Sequence, residues 1–246
     1  MNRREFLGTV GVALAGMAIN GAWSAETKPA GKPNVIFILT DDLGYSDLSC
    51  YGSPNIKTPC LDRMAAEGVR FTDFYAAGVC CTPTRAALMT GCYPKRVGMH
   101  MGVLPTRSEK GLHPDEATIA ELLRGQGYAT ACIGKWHLGT GVATLPTSQG
   151  FDSYFGMPGD NHGNGELYRG TNIIEQAGKI NISELTQRYT TEAIEFITKS
   201  KDKPFFLYLP HGAPHTPLYA SRKFHKLQQT DTMLAQEARP VFGAKP

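Results

Sequence analysis

Three short apolar runs constrain the fold of this chain more than any other feature. They are NVIFILT at 34–40, YATACIG at 128–134 and PFFLYLP at 204–210. NVIFILT has no polar alternation, which is the pattern of a parallel strand covered on both faces. We predict a buried strand at each run, and a further strand at VRFTDFY, residues 69–75.

The segments between these runs have the patterns of helices. One predicted helix runs from Thr58 to Gly68 and one from the N-cap Asp115 to Gly125. A third opens at Ser183, with apolar residues every fourth position: Leu185, Tyr189, Ala193 and Ile197. Strands that alternate with helices predict an α/β layered sheet.

Polar side chains follow each of the three strand runs. Asp41 and Asp42 follow the first, Lys135 and His137 the second, and His211 and His215 the third. Ligands in α/β sheets gather at the carboxyl ends of the strands, so the sequence predicts one functional site at that edge.

The bare pattern leaves two interpretations of these residues. Adjacent carboxylates repel each other, so Asp41 and Asp42 indicate a hard divalent cation, or else an Asx turn that closes the strand. Lys135 and His137 are either site residues or a solvated loop charge and a satisfied core histidine.

The segment VCCTPTRAALMTG, residues 79–91, predicts a short helix with Pro83 in its first turn and Gly91 as its stop. Cys81 then lies at the helix N-terminus, where free N–H groups favour an anion, and Arg85 adds a charged donor fork. This describes a nucleophile beside a bound oxyanion. The alternative is a packed thiol without a chemical role.

The cysteine spacing and the net charge argue against disulfide-rich, zinc-binding and nucleic-acid-binding proteins. The six cysteines match no compact disulfide scaffold or zinc pattern. The formal charge of +3 provides no large basic field, so we expect no nucleic-acid partner.

The first 25 residues resemble a twin-arginine export signal. NRREFLG precedes an apolar run from Phe6 to Ile19, and small residues follow up to Ala25. The alternative is a membrane anchor, but this run is short against the ~20 residues that span a bilayer. We therefore expect export through the Tat machinery to the periplasm or beyond it.

Several motifs together resemble the sulfatase family. CTPTRAALMTG is similar to its cysteine signature, and NVIFILTDDLGYSD, YPKRVGMH, GKWHLG, QGFDSYFG and KPFFLYLPHGAPHTPL occur in the family's order. The similarity extends from about Asn34 to about Ala220, and is closest to the arylsulfatase A and N-acetylgalactosamine-6-sulfatase group. It implies an alkaline-phosphatase-like α/β/α sandwich.

The resemblance implies a modified nucleophile. The signature cysteine, here Cys81, is oxidised to formylglycine by a formylglycine-generating or anaerobic sulfatase-maturating enzyme. The aldehyde hydrates to a diol, of which one hydroxyl attacks the sulfur of an aryl or carbohydrate sulfate and the other then expels sulfate. Asp41, Asp42 and the modified Cys81 would bind Ca²⁺.

The same resemblance implies further catalytic residues. Arg85 would support the diol and the sulfate, and Lys135 would contact the sulfate. His137 would orient the diol, while His215 would stand beside the leaving oxygen. His211 matches no family position as clearly.

The chain also departs from the family pattern. The family's Asp-Asn pair and lysine after the PHTPL segment are absent from the tail, and Asp160–Asn161 lie in the GMPGDNHG loop with His162, where the family places substrate-pocket residues. The sequence therefore predicts a signal at 1–25, an incomplete, truncated catalytic domain at 33–220 and a divergent tail at 221–246. The alternatives are an inactive sulfatase remnant and a phosphonate or phosphate monoester hydrolase of the same superfamily.

Overall fold

The computed structural model describes residues 31–160 and 164–224, and the described residues from Pro33 onward form one compact unit. The predicted export signal, Asn161, His162 and most of the predicted tail lie outside the described residues. Within these, six strands form one sheet in the order β1-β6-β2-β3-β4-β5. The strands are β1 (Val35–Leu39), β2 (Ala129–Ile133), β3 (Ser153–Gly156), β4 (Leu167–Arg169), β5 (Asn172–Glu175) and β6 (Phe205–Pro210).

The strands that precede the predicted site residues are parallel neighbours. β6 lies between β1 and β2, with Val35 opposite Phe206 and Ala129 opposite Phe205. β3 adds a fourth parallel strand, and β4 and β5 continue the sheet in antiparallel pairing. The carboxyl ends of β1, β6 and β2 therefore meet at one edge, as the three apolar runs predicted.

The described residues contain four α-helices of more than one turn: α1 (Pro59–Glu67), α2 (Cys81–Thr90), α3 (Ile119–Gly125) and α4 (Ile182–Ser200). Of these, α2, α3 and α4 cover the faces of the sheet, whereas α1 contacts the 3₁₀ turn Ser49–Tyr51. The core on one face joins α4 to alternate residues of β6, such as Leu185 to Leu207. The core on the other face joins α2 to Tyr208 and Trp136, with Ala86 and Met89 buried. Each such large apolar side chain contributes about 1.5–3 kcal/mol on burial. This three-layer arrangement confirms the predicted α/β/α architecture.

The helix predicted to start at Asp115 starts later. Thr118 is the N-cap of α3: its hydroxyl accepts from the N–H of Glu121, whose carboxylate accepts from the N–H of Thr118 at 2.8 Å. This reciprocal capping box satisfies two N–H groups that Asp115 could not reach together. The other predicted helices lie within a residue or so of their expected bounds.

Two strand predictions fail at the same side of the sheet. β1 is an edge strand, not a strand covered on both faces, and the side chains of Ile36 and Ile38 are 47% and 54% exposed. Residues 69–75 form no strand, because no described strand lies beside them to complete a ladder. Phe71 and Phe74 in this segment remain more than half exposed.

All six cysteines lie in the described ranges and are free thiols. Within the same ranges, no helix combines the length and apolar character needed to cross a bilayer.

Candidate active site

The N-terminus of α2 places Cys81 at the carboxyl edge of the sheet. Cys80 is the N-cap with an extended backbone, Cys81 is the first helical residue, and Gly91 ends the helix in the left-handed conformation at φ 67°. This confirms the predicted helix. The thiol of Cys81 is half-buried, and Arg85 follows one turn later.

A buried cluster of three charges lies beside this helix. Arg85 Nη2 is 3.2 Å from Asp41 Oδ1, and Lys135 Nζ is 2.6 Å from Asp41 Oδ2. All three residues are at most 4% exposed. The cluster has two cations against one carboxylate, so it carries an excess positive charge that favours an anion. Lys135 is thus buried and ion-paired, and not a solvated loop charge.

Electrostatics inside the cluster keep Asp41 ionised. Burial would raise the pKa of the Asp41 carboxyl, but the adjacent Arg85 and Lys135 outweigh burial and lower that pKa. Arg85 also donates from Nη1 to the backbone carbonyl of Lys135 at 2.8 Å. Its buried Nε has no hydrogen-bond partner among the described residues, so one donor of the guanidinium remains available.

Backbone hydrogen bonds hold the segment that follows β2 against its neighbours. The N–H of Lys135 donates to Pro210 at the end of β6, and the N–H of His137 donates to Pro158 beyond β3. Gly134 makes this approach possible: its φ is 135°, and a Cβ there would collide with the Pro210 carbonyl oxygen.

His137 is fixed through both its backbone and its ring. Thr82 Oγ1 donates to the His137 carbonyl at 3.0 Å and accepts from the Leu104 N–H at 3.1 Å. The ring Nε2 lies 2.9 Å from the Leu104 carbonyl, so Nε2 carries the proton.

The electrostatic environment keeps the His137 ring neutral. Burial and the cation Lys135 lower the pKa of His137 to about 4. Its buried Nδ1 has no partner in the described part of the chain, and in the neutral ring it is an acceptor.

The end of β6 contributes the third group of residues. His215 Nε2 is 3.4 Å from Asp42 Oδ2, which links the loop after β6 to the loop after β1. Asp42 and His137 are the two non-glycine residues in the described ranges with positive φ, at 64° and 59°. Such backbone conformations are concentrated at functional sites. The ring of His211 instead lies near Tyr189 of α4 and is not linked to this cluster by any of these bonds.

A cavity of about 620 Å³ opens at this edge of the sheet. Four predicted site residues line it: Asp41, Asp42, Cys81 and Arg85. Its other walls include apolar side chains of β1 and of residues 74–79. Lys135, His137 and His215 join the site through Asp41, Thr82 and Asp42 respectively.

Two contributors were missed at the level of sequence. Thr82, which donates to the His137 carbonyl, has no signal in the sequence beyond its place in the CTPTR segment. The hydroxyl of Tyr208 is 3.5 Å from Arg85 Nη1, but in the sequence Tyr208 is one residue of an apolar strand run. Within the described ranges, no group of three or more His, Cys, Asp or Glu side chains is arranged to hold a metal ion.

This arrangement places a buried cluster with excess positive charge beside a half-buried thiol, at the carboxyl edge of an α/β sheet. The sulfatase family profile matches residues 33–240, and the chain belongs to the sulfatase family. It is 39% identical to N-acetylgalactosamine-6-sulfatase of Sus scrofa in an alignment 237 positions long that covers 87% of this chain and 44% of the relative. It is also 39% identical to arylsulfatase A of Homo sapiens, covering 82% of this chain and 45% of the relative.

Solved structures agree with this assignment. The sulfatase PsFucS1 from Pseudoalteromonas sp. superposes with a TM-score of 0.72 at 29% identity, over 96% of this chain and 54% of that one. A protein solved in complex with its substrate D-glucosamine-2-N,6-O-disulfate superposes with a TM-score of 0.65 at 30% identity, over 87% and 39%. The fold is thus alkaline-phosphatase-like, and the chain spans about half the length of the relatives that it matches.

Proposed function

We propose that this protein hydrolyses sulfuric esters, with Cys81 as the precursor of a formylglycine nucleophile. The observation that carries the proposal is the buried cluster of Asp41, Arg85 and Lys135 beside Cys81, because its excess positive charge suits a sulfate ester. The family assignment supports the same reaction.

The residues around Cys81 suit distinct tasks in that reaction. Formylglycine would supply a hydrated aldehyde as the attacking group. The N–H groups at the start of α2 and the guanidinium of Arg85 would hold the sulfate, with Lys135 adding charge. The neutral Nδ1 of His137 would accept a hydrogen bond from the attacking hydroxyl. His215 would place a proton at the leaving alcohol oxygen.

Calcium remains an expectation from the resemblance. Ca²⁺ takes six to eight oxygen ligands, of which Asp41 and Asp42 would supply two carboxylates. Asp41 is already engaged with two cations, and no group of three ligands exists within the described residues. The residues present thus do not form a calcium site, and we derive no step through the ion.

Substrate class and cellular context are part of the same proposal. We propose an aryl or carbohydrate sulfate as substrate, a maturation enzyme that modifies Cys81, and Tat export to the periplasm. The GMPGDNHG loop would bear on substrate choice. Asp160, the last residue of this loop that the structure describes, accepts a hydrogen bond from Thr106.

The test compares turnover of aryl sulfate and aryl phosphate by the purified protein, with the Cys81→Ala variant as control. We expect sulfate turnover that Cys81→Ala abolishes, and a mass for the Cys81 peptide that corresponds to formylglycine. Turnover equal to that of Cys81→Ala would identify an inactive remnant. Faster phosphate turnover would assign the protein to the phosphomonoester hydrolases.

A further inference from the structure

Two buried polar atoms near α4 have no hydrogen-bond partner among the described residues. They are the hydroxyl oxygen of Tyr189 and Nδ1 of His211. Tyr189 is 1% exposed and lies in the core between α4 and the sheet, with its ring edge-on to that of Phe155. A buried donor or acceptor without a partner costs free energy, so such a pair in a native protein needs an explanation.

The two groups are complementary in their chemistry. The rings of Tyr189 and His211 lie 6.3 Å apart between centroids. Burial raises the pKa of Tyr189, so the hydroxyl keeps its proton and is a donor. Burial lowers the pKa of His211, so its ring is neutral at neutral pH and Nδ1 can accept. One small molecule that both accepts and donates would satisfy the two atoms together.

A cavity of about 110 Å³ beside Tyr189 provides room for such a molecule. Gly212 and Ala213, which directly follow His211, line this cavity together with Tyr189. A buried water needs two to four polar partners and about 10–15 Å³ of space, so the cavity is large enough for one. The Tyr189 hydroxyl and His211 Nδ1 supply two of the partners.

The segment that begins at His211 carries His215 to the catalytic edge. The His211 N–H donates to the Leu39 carbonyl at 2.7 Å, and the Ala213 carbonyl accepts from the Asp41 N–H at 3.2 Å. Both bonds tie this segment to the end of β1. The ring of His211 ties the same segment to α4, so a bridge at that ring bears on where His215 lies.

We infer that Tyr189 and His211 hold an ordered water between them, and that this bridge positions His215 at the catalytic edge. The second part rests on the proposed function, in which His215 places a proton at the leaving alcohol oxygen. That transfer needs hydrogen-bond reach, and a misplacement of about 1 Å lowers a rate by about 10²-fold. Tyr189 and His211 thus act through His215 as positioning residues.

The first test asks whether the two side chains share a bridge. A crystal structure should show a water within hydrogen-bond distance of both the Tyr189 hydroxyl and His211 Nδ1. Urea unfolding of Tyr189→Phe, His211→Leu and the double variant should give non-additive losses, because either change alone removes the bridge. Additive losses, or a crystal structure with no water between the two atoms, would overturn the inference.

The second test uses leaving groups that differ in their need for a proton. Tyr189→Phe should lower kcat about tenfold or more on phenyl sulfate and less than about threefold on 4-nitrophenyl sulfate, whose phenolate leaves more readily without one. His211→Asn keeps a polar atom near the position of Nδ1 and should be faster on phenyl sulfate than His211→Leu. Tyr128→Phe, in the core on the other face, should change neither rate. Equal losses on both sulfates would overturn the positioning of His215.

NMR of the His215 ring keeps this inference separate from the proposed hydrolysis. Tyr189→Phe should shift the ring ¹H and ¹⁵N resonances of His215, and Tyr128→Phe should not. An unchanged His215 spectrum in Tyr189→Phe would overturn the positioning. Shifted resonances in a protein without sulfatase turnover would support the positioning and contradict only the proposed hydrolysis.

Discussion

The hydroxyl of Thr82 donates to the backbone carbonyl of His137 across 3.0 Å, which ties the residue after Cys81 to the loop after β2. The same oxygen accepts a hydrogen bond from the N–H of Leu104, and the carbonyl of Leu104 accepts one from the His137 ring Nε2–H. Three residues distant in sequence thus form a closed hydrogen-bonded group that fixes His137 relative to the start of α2.

Thr82→Val should lower kcat about tenfold or more with a smaller effect on KM, because His137 loses its backbone anchor but the charge cluster stays. Thr82→Ser keeps the hydroxyl and should restore kcat. Steady-state kinetics on an aryl sulfate measure both values. If Thr82→Ser were as slow as Thr82→Val, lost packing of the methyl group would explain the effect instead.

Asp41→Asn should destabilise the protein by about 3–5 kcal/mol, because it leaves two buried cations without their counter-ion. Asp42→Asn is the matched control, since the Asp42 side chain is 63% exposed and its change should cost under about 1 kcal/mol. Urea unfolding at neutral pH measures both. Equal losses from the two variants would contradict the charge cluster.

Stability should fall as the pH drops from 6.5 toward 4. The folded pKa of His137 is about 4, below the value of 6.5 for a free histidine, so the unfolded chain binds more protons in that window. At about pH 4 the free energy of unfolding is lower by about 3 kcal/mol because of His137. Asp41, whose pKa is lowered from 3.8, adds its own loss only below that window.

His137→Gln should flatten this pH dependence while keeping a donor toward Leu104. Burial also lowers the pKa of His211. The variant His211→Asn therefore measures how much His211 contributes to the pH dependence of stability. Urea unfolding at several pH values separates the two. An unchanged slope in His137→Gln would show that folding does not lower the pKa of His137.

Gly134→Ala should destabilise the protein by more than about 2 kcal/mol, because an added Cβ meets the Pro210 carbonyl oxygen at a φ of 135°. Gly125→Ala, at the end of α3, meets nothing within 4 Å and should be neutral or stabilising by about 0.5–1 kcal/mol. Thermal unfolding compares the two. A harmless Gly134→Ala would mean that β2 and β6 lie further apart at this edge.

Much of the fold follows from the local sequence. The apolar runs of β1, β2 and β6 and the helix stop at Gly91 are local signals, and the structure confirms them. Two predictions were wrong: that β1 is buried on both faces, and that residues 69–75 form a strand. Both depend on neighbouring strands, which the local sequence does not specify.

The candidate site was also only partly predictable, because some of its residues follow local strand signals and others depend on distant loops. Strand ends brought Asp41 and Lys135 to one edge, where they form an ion pair. The contribution of Thr82 depends on a loop 55 residues away, so no spacing in the sequence indicates it.

The Asp41–Lys135 pair joins residues 94 positions apart, just after β1 and β2, which both pair with β6. Contacts of such long range are late events in folding, since their loop-closure entropy is lost before they stabilise the chain. We therefore expect no early folding intermediate in which the cluster of Asp41, Arg85 and Lys135 is partly assembled. Enzyme activity and cooperative tertiary structure should return together on refolding, with no active intermediate between them.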